Sequence, residues 1–279
     1  MKTYSSLPGR ETLIPIACNL CGESRHKEHW SCEGFSFVQC KGCGVVYQNP
    51  QPVLEKLLER YDDQYFQYEI QNEAPFLRLI LKGLEDVGFP LNPPQKNALF
   101  LDVGCATGLL LDDMRNKGWA TLGVEVCKES SEYGRKVRKL DIRTNTLETA
   151  GLPSESVDVA HMSHLIEHVT EPLSFLKEVQ RVLKPGGTIL VTTPCTSSLQ
   201  ALWFGPRWRS AIADHLYLFS KKNLLRSLQK VGFSGMKIKK WGGLAQNYGP
   251  KILKSVLDPC SKIFNFGDVM IMSGQKAFL

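Results

Sequence analysis

Beyond residue 95 the chain alternates short apolar runs with segments of helical period. Apolar runs lie near 98–103, 121–126, 157–162 and 187–193, and helical segments near 108–117, 128–138, 171–183 and 221–231. Strands alternating with helices in this way predict a parallel sheet with helices on both faces, because each return to a parallel neighbour needs a helix-length crossover. The earlier residues follow a different rhythm. Phe35-Ser36-Phe37-Val38-Gln39 alternates with strand period, Val45-Val46-Tyr47 adds a second short strand, and Trp30 supplies another apolar position. Helical stretches at 54–61 and around 76–87 follow, with Tyr61, Tyr65, Phe66 and Tyr68 between them read as packing aromatics. Asn49-Pro50-Gln51-Pro52 and Pro90-Leu91-Asn92-Pro93-Pro94 break the chain, giving three parts: 1–50, a helical linker or cap at 51–94, and 95–279.

Composition narrows the class without changing this outline. With 43% hydrophobic and 22% charged residues among 279, disordered and fibrous classes drop out. No apolar run approaches the roughly 20 residues that span a bilayer, and Met1 to Pro15 lacks the pattern of a secretory leader, so a cytoplasmic location is expected. The formal charge of +6 is spread over scattered Lys and Arg. It permits an anionic substrate but offers no continuous basic stripe for nucleic acid.

Nine cysteines gain meaning from their spacing. Cys18-x2-Cys21 and Cys40-x2-Cys43 lie 18 residues apart and form the two knuckles of a four-thiolate zinc site, each followed by glycine. The first part is therefore predicted to be a small zinc ribbon with structural Zn2+, and Cys32 is left as a non-ligand because four partners complete the shell.

The first strand of the larger part ends in Leu101-Asp102-Val103-Gly104-Cys105-Ala106-Thr107-Gly108 and runs directly into a helix. Gly104 and Gly108 let the backbone approach a ligand, and the Gly-x3-Gly spacing is not the three-glycine dinucleotide fingerprint. A carboxylate at Asp102 would repel a pyrophosphate but attract the cationic end of S-adenosylmethionine. Glu125 closes the next strand, where it can accept hydrogen bonds from both ribose hydroxyls.

With Leu152-Pro153-x3-Ser156-Val157-Asp158-Val159 and Leu183-Lys184-Pro185-Gly186-Gly187, these segments resemble class I methyltransferases in the expected order. The resemblance implies a Rossmann-like, doubly wound α/β sheet of seven strands, the penultimate near Met236 to Trp241 and the antiparallel last one at Asp268 to Lys276. It implies cofactor contacts at Asp102, Gly104, Cys105, Ala106, Gly108, Glu125 and Met162, and adenine beside Thr146 and Leu147. The knuckles, Val45-Val46-Tyr47-Gln48-Asn49-Pro50, His164-Leu165-Ile166-Glu167-His168 and Asp214-His215-Leu216-Tyr217-Leu218-Phe219-Ser220 are similar to a bacterial branch with an N-terminal zinc ribbon, associated with surface-glycan and natural-product pathways. Residues 196–220 fall where this fold commonly inserts an acceptor cap.

A hydroxyl acceptor needs a base, and histidine suits near-neutral pH. His215, with Asp214 as its orienter, is the first candidate. His164, at the carboxyl end of a strand, is the second, whereas Glu167 and His168 are expected to orient the loop and His161 to pack. In the insertion, Arg207 and Trp208 are the candidate acceptor contacts, and Trp203 and Phe204 are expected to pack. The expected acceptor is a small molecule or glycan, foremost a sugar or sugar nucleotide methylated on oxygen, with carbon as a variant. A ribosomal RNA base is the competing acceptor, and nucleic acid is disfavoured by the charge distribution. Apolar residues among lysines from Pro250 to Phe264 form a candidate amphipathic helix, making a membrane surface a further candidate partner.

Overall fold

The computed structural model describes residues 12–242 and 267–278, so the Pro250 to Phe264 stretch lies outside the described residues. The chain opens with β1 (Leu13–Ile14), β2 (His26–Cys32), β3 (Phe35–Cys40), β4 (Val46–Gln48) and β5 (Gln51–Pro52), then α1 (Leu54–Leu58) and α2 (Asp63–Asp86). The larger part follows as β6 (Leu99–Val103), α3 (Leu109–Asn116), β7 (Ala120–Glu125), α4 (Lys128–Val137), β8 (Ile142–Thr144), β9 (Val157–Ser163), α5 (Pro172–Val182) and β10 (Leu183–Pro194). It ends with α6 (Leu199–Phe204), β11 (Tyr217–Leu218), α7 (Lys221–Lys230), β12 (Phe233–Trp241) and β13 (Val269–Lys276).

Seven strands form one sheet in the order β12-β13-β10-β9-β6-β7-β8. β13 runs antiparallel to both β10 and β12, and the strands from β10 to β8 are mutually parallel. The doubly wound sheet with an antiparallel last strand is thus as the resemblance implied. Both faces are covered: Leu101, Val103, Ala160 and Val191 enter one core, while Phe100, Val159, Leu190 and Ile271 enter the other. Burial on two sides explains why these strands read as continuous apolar runs.

The ribbon is fused to this core. β2, β3 and β4 form a sheet whose fourth strand, β11, comes from the 196–220 insertion, in register Tyr217↔Tyr47 and Leu218↔Val46. Stacked Tyr47 and Tyr217 rings lie 6.0 Å apart. Cys18, Leu20, Val45 and Tyr47 share one apolar cluster with Leu216, Phe219 and Leu224. The knuckles themselves are held from the larger part, since Asn223 Nδ2 donates to the Cys43 carbonyl at 2.8 Å and Lys230 Nζ to that of Leu20 at 3.1 Å.

α2 differs from its prediction by starting at Asp63 instead of Phe76. The Asp62 carboxylate caps it, accepting from the amides of Gln64 and Tyr65 at 2.9 and 3.1 Å. This cap, and packing of the added turns over the carboxyl edge of the sheet, outweigh the hydrogen bond that Pro75 inside the helix cannot make.

One glycine sets the spacing between strand and loop. A Cβ on Gly123 of β7 would lie 2.7 Å from Cys105 Sγ, 2.8 Å from Leu111 Cδ1 and 2.9 Å from Ile142 Cγ1. Gly123→Ala is expected to cost about 1–3 kcal/mol of unfolding free energy through overpacking, read from urea denaturation. An unchanged midpoint would show that the loop is not packed against β7 in this way.

Candidate active site

The turn after β6 and the end of β7 are tied together by one acid. Gly104 has φ of +71° and Gly108 +78°, conformations that favour glycine, and the Gly104 amide donates to the Val124 carbonyl at 2.8 Å. The Glu125 carboxylate, 3% exposed, accepts from the Ala106 amide on Oε2 and the Cys127 amide on Oε1, both at 2.8 Å. Burial pushes this carboxyl up, and the backbone amides of Cys127, Ala106 and Val126 pull it back. The Cys105 side chain packs into the core, so at that position only the backbone is left to line the turn.

Asp102 at the end of β6 is held from the adjacent strand. Parallel pairing places Asp102 opposite His161 of β9, and His161 Nδ1 donates to Asp102 Oδ1 at 2.6 Å. His161, expected only to pack, therefore positions a carboxylate while its ring stacks 6.0 Å from Phe100.

α2 crosses over this turn. Glu73 accepts from Thr107 Oγ1 at 2.9 Å and from the Arg138 guanidinium at 2.8 Å, and Arg138 also donates to the Thr107 carbonyl at 3.0 Å. Phe66 packs on Tyr133 of α4 with ring centres 5.7 Å apart. Burial, then the charge of Glu125, pushes the Tyr61 hydroxyl up, and both Glu69 and Glu125 add to the same effect at Tyr65. The helical spacing of Tyr65, Glu69 and Glu73 was the available signal for this face.

The histidines assemble differently from expectation. Asp214 does not orient His215: its carboxylate pairs with Arg60 at 2.5 Å, and its carbonyl accepts from His168 Nδ1 at 2.8 Å. His215 instead donates Nδ1–H to the Ser210 carbonyl at 2.8 Å and meets the His168 ring edge-on at 4.8 Å. Burial first, then the neighbouring His168 charge, pushes the His215 imidazole down to about 3, too low for an effective base near neutral pH.

His164 is the half-exposed histidine of the group. Its side chain is 49% accessible, and its Nδ1 lies 3.2 Å from Glu167 Oε1. Glu167 is 1% exposed and also accepts from Thr193 Oγ1 at 2.8 Å. Burial favours its neutral form, but the His164 hydrogen bond and the surrounding imidazoles outweigh that and hold the carboxyl at about 2. Glu167, His168 and His215 each bring one donor atom within 4.8 Å of the others. Because both Glu167 oxygens already accept from protein groups, the set fits a hydrogen-bonded cluster better than a metal shell.

Four further expectations are corrected. Trp208 is 2% exposed and packs with Phe37, Val46 and Leu218, its ring 6.2 Å from Trp30, so it cannot present a face to an acceptor. Trp203, expected to pack, is 75% exposed instead, and Arg207, four positions further along the chain, is exposed as well. Met162 is fully buried among Val103 and Val191, which leaves it no surface for a cofactor. Leu147 also packs into that core, whereas Thr146 is half-buried beside exposed Asn145, whose amide donates to the Glu125 carbonyl at 3.2 Å.

The four knuckle cysteines converge. Cys18 and Cys43 sulfurs lie 3.6 Å apart, those of Cys21 and Cys40 3.5 Å, and all four fall within 4.8 Å of one another. A tetrahedral zinc with bonds of about 2.3 Å requires sulfur edges of about 3.8 Å. The Gly42 and Cys43 amides point at Cys40 Sγ at 3.3 and 3.4 Å, as expected around a thiolate ligand. Cys32 lies outside this group.

Comparison with known proteins agrees with the fold. A family described as a methyltransferase domain matches residues 69–237, from within α2 to β12, and the chain belongs to this family. The ubiquinone biosynthesis O-methyltransferase of Parvibaculum lavamentivorans is 31% identical over 105 residues, covering 36% of this chain and 42% of the relative. That of Idiomarina loihiensis is 34% identical over 99 residues, 33% of this chain and 41% of the relative. The chain thus aligns with less than half the length of these curated relatives. Among solved structures, an S-adenosylmethionine-dependent methyltransferase of Thermotoga maritima superposes with a TM-score of 0.55 at 21% identity, covering 77% of this chain and 95% of that one. One from Archaeoglobus fulgidus gives 0.53 at 17%, covering 76% and 99%. These superpositions show the class I fold.

The buried His215 makes stability fall towards acid. Its folded pKa of about 3 lies below the roughly 6.5 of a free imidazole, so below about pH 6.5 the unfolded chain gains a proton that the folded chain refuses. This group is expected to remove about 2 kcal/mol of unfolding free energy between pH 7 and about pH 5. His215→Asn, which keeps a donor for the Ser210 carbonyl, should lose correspondingly less over that range in urea titrations. Identical losses in the two proteins would contradict the buried neutral histidine.

Proposed function

We propose that this chain transfers the methyl group of S-adenosylmethionine to a hydroxyl oxygen of a small-molecule acceptor. The observation that carries the reading is the pairing of the glycine turn, Asp102 and Glu125 beneath α2 with the half-exposed His164 at the neighbouring strand end. The donor set fits the cofactor: Glu125 for the ribose hydroxyls, Asp102 for the amino-acid end, and the backbone of Gly104 to Gly108 where a close approach is needed. When bound, S-adenosylmethionine supplies an electrophilic methyl carbon on a cationic sulfur. The chain's own part is to hold the acceptor oxygen in line, exclude water and take the hydroxyl proton.

His164 takes that proton in this proposal. Glu167 engages Nδ1, leaving Nε2 to accept, so His164 and Glu167 replace His215 and Asp214 as base and orienter. Oxygen as the accepting atom is supported by the O-methyltransferase relatives. A sugar or sugar nucleotide is the finer reading, and exposed Trp203 and Arg207 support it by offering an aromatic face and a guanidinium on the insertion. The test is incubation with methyl-labelled cofactor and two acceptor sets, sugar nucleotides and phenols, followed by mass spectrometry. Label on a sugar hydroxyl supports the finer reading; label on phenols alone replaces it; label on nitrogen would contradict oxygen transfer. With the acceptor so found, His164→Ala should lower turnover by about 10²–10⁴-fold with little change in cofactor affinity. Unchanged turnover would remove His164 from the chemistry.

The ribbon acts in this proposal as the template for the insertion, with zinc on Cys18, Cys21, Cys40 and Cys43. The Gln48 amide donates to the Leu216 carbonyl, and the Leu216 amide to the Glu167 carbonyl, at 2.8 and 2.7 Å, so the ribbon is two hydrogen bonds from the histidine cluster. Stripping the metal with a strong chelator should raise hydrogen exchange in residues 210–219 at least about tenfold while strands β6 and β7 keep their protection. Unaltered exchange in 210–219 would contradict the template role.

A further inference from the structure

We propose that Glu69 on α2 is a cofactor-binding residue that favours cationic S-adenosylmethionine over its neutral demethylated product. The proposal rests on the cofactor reading given above. Its basis is the way α2 is pinned across the cleft. At one end the Asp62 carbonyl lies 3.9 Å from Cys127 Sγ, just past Glu125; at the other, Glu73 holds Thr107 and Arg138. Phe66 on Tyr133 fixes the helix between these points. Glu69 is one turn from both Tyr65 and Glu73, on the face that these anchors turn towards the glycine loop.

The groups facing Glu69 are Glu125 from β7, His164 from beyond β9, and Tyr65 and Glu73 of its own helix. No lysine or arginine pairs with it among the described residues. Two carboxylates that share a partly dry space without a fixed cation repel each other, and a cationic ligand between them relieves that repulsion. Burial first, then Glu125, pushes Glu69 up to about 7, while His164 opposes the rise. A permanent positive charge placed there favours ionised Glu69, and that attraction vanishes when methyl transfer leaves a neutral thioether. Weaker retention of the spent cofactor follows from the same side chain.

Calorimetric titration of the full chain with S-adenosylmethionine and with S-adenosylhomocysteine tests this without any acceptor. In the unaltered protein, the preference for the cationic ligand should grow about tenfold from about pH 5.5 to about pH 7.5 as Glu69 ionises. Glu69→Gln should weaken S-adenosylmethionine about tenfold, leave S-adenosylhomocysteine within about twofold, and flatten most of the pH dependence. A pH-independent preference in the unaltered chain overturns the proposal without needing a folded variant. So does an equal loss for both ligands in Glu69→Gln. Absence of S-adenosylmethionine binding at every pH would instead overturn the cofactor reading itself.

Discussion

Moving a carboxylate out of water costs on the order of several kcal/mol unless hydrogen-bond donors replace its hydration. Asp102, Glu125 and Glu167 sit at the carboxyl edge of the parallel sheet with 4%, 3% and 1% of their surface exposed. Each has therefore recruited donors that fix a different part of the site. Glu125 gathers the amides of Ala106 and Cys127 and so shapes the glycine turn. Asp102 takes His161 across a strand pair, and Glu167 takes Thr193 and His164. The fold supplies the edge, and the need to satisfy these acids arranges the side chains along it.

The ribbon enters the same arrangement through its backbone. A free-standing module would meet its neighbour over a polar, separable surface; here Tyr47 and Val45 lie in one apolar cluster with Leu216 and Phe219, and β11 completes the ribbon's own sheet. Trp208 shows the consequence, since it is buried because the ribbon covers it. The insertion consequently has its inner aromatic committed to packing and its outer one, Trp203, turned to solvent.

Features encoded by short local patterns were legible in the sequence: the cysteine knuckles, the Gly104 to Gly108 turn, Glu125 at a strand end, and the alternation of strands and helices. The penultimate and last strands were placed only through the family resemblance. Pairings between distant segments were not legible. His161 meets Asp102 across 59 residues of chain, and nothing local to His161 announces that register. Sequence adjacency suggested an Asp214–His215 pair, yet neighbouring side chains diverge here, one to Arg60 and the other to Ser210. Trp208 and Trp203 exchanged roles because burial in the insertion depends on where β11 docks. The start of α2 was placed late because its first turns are stabilised by packing over the cleft, a tertiary effect that helix periodicity does not carry.

Glu125 shapes the glycine turn and, in the proposed function, is the residue that meets the cofactor. The most direct measurement is calorimetric binding of S-adenosylmethionine to the unaltered chain and to Glu125→Ala. Removing the carboxylate leaves two amides without their acceptor and the ribose without its partner, so binding is predicted to weaken at least about a hundredfold while the seven-stranded sheet persists by circular dichroism. Equal affinity in the two proteins would contradict the cofactor site described here.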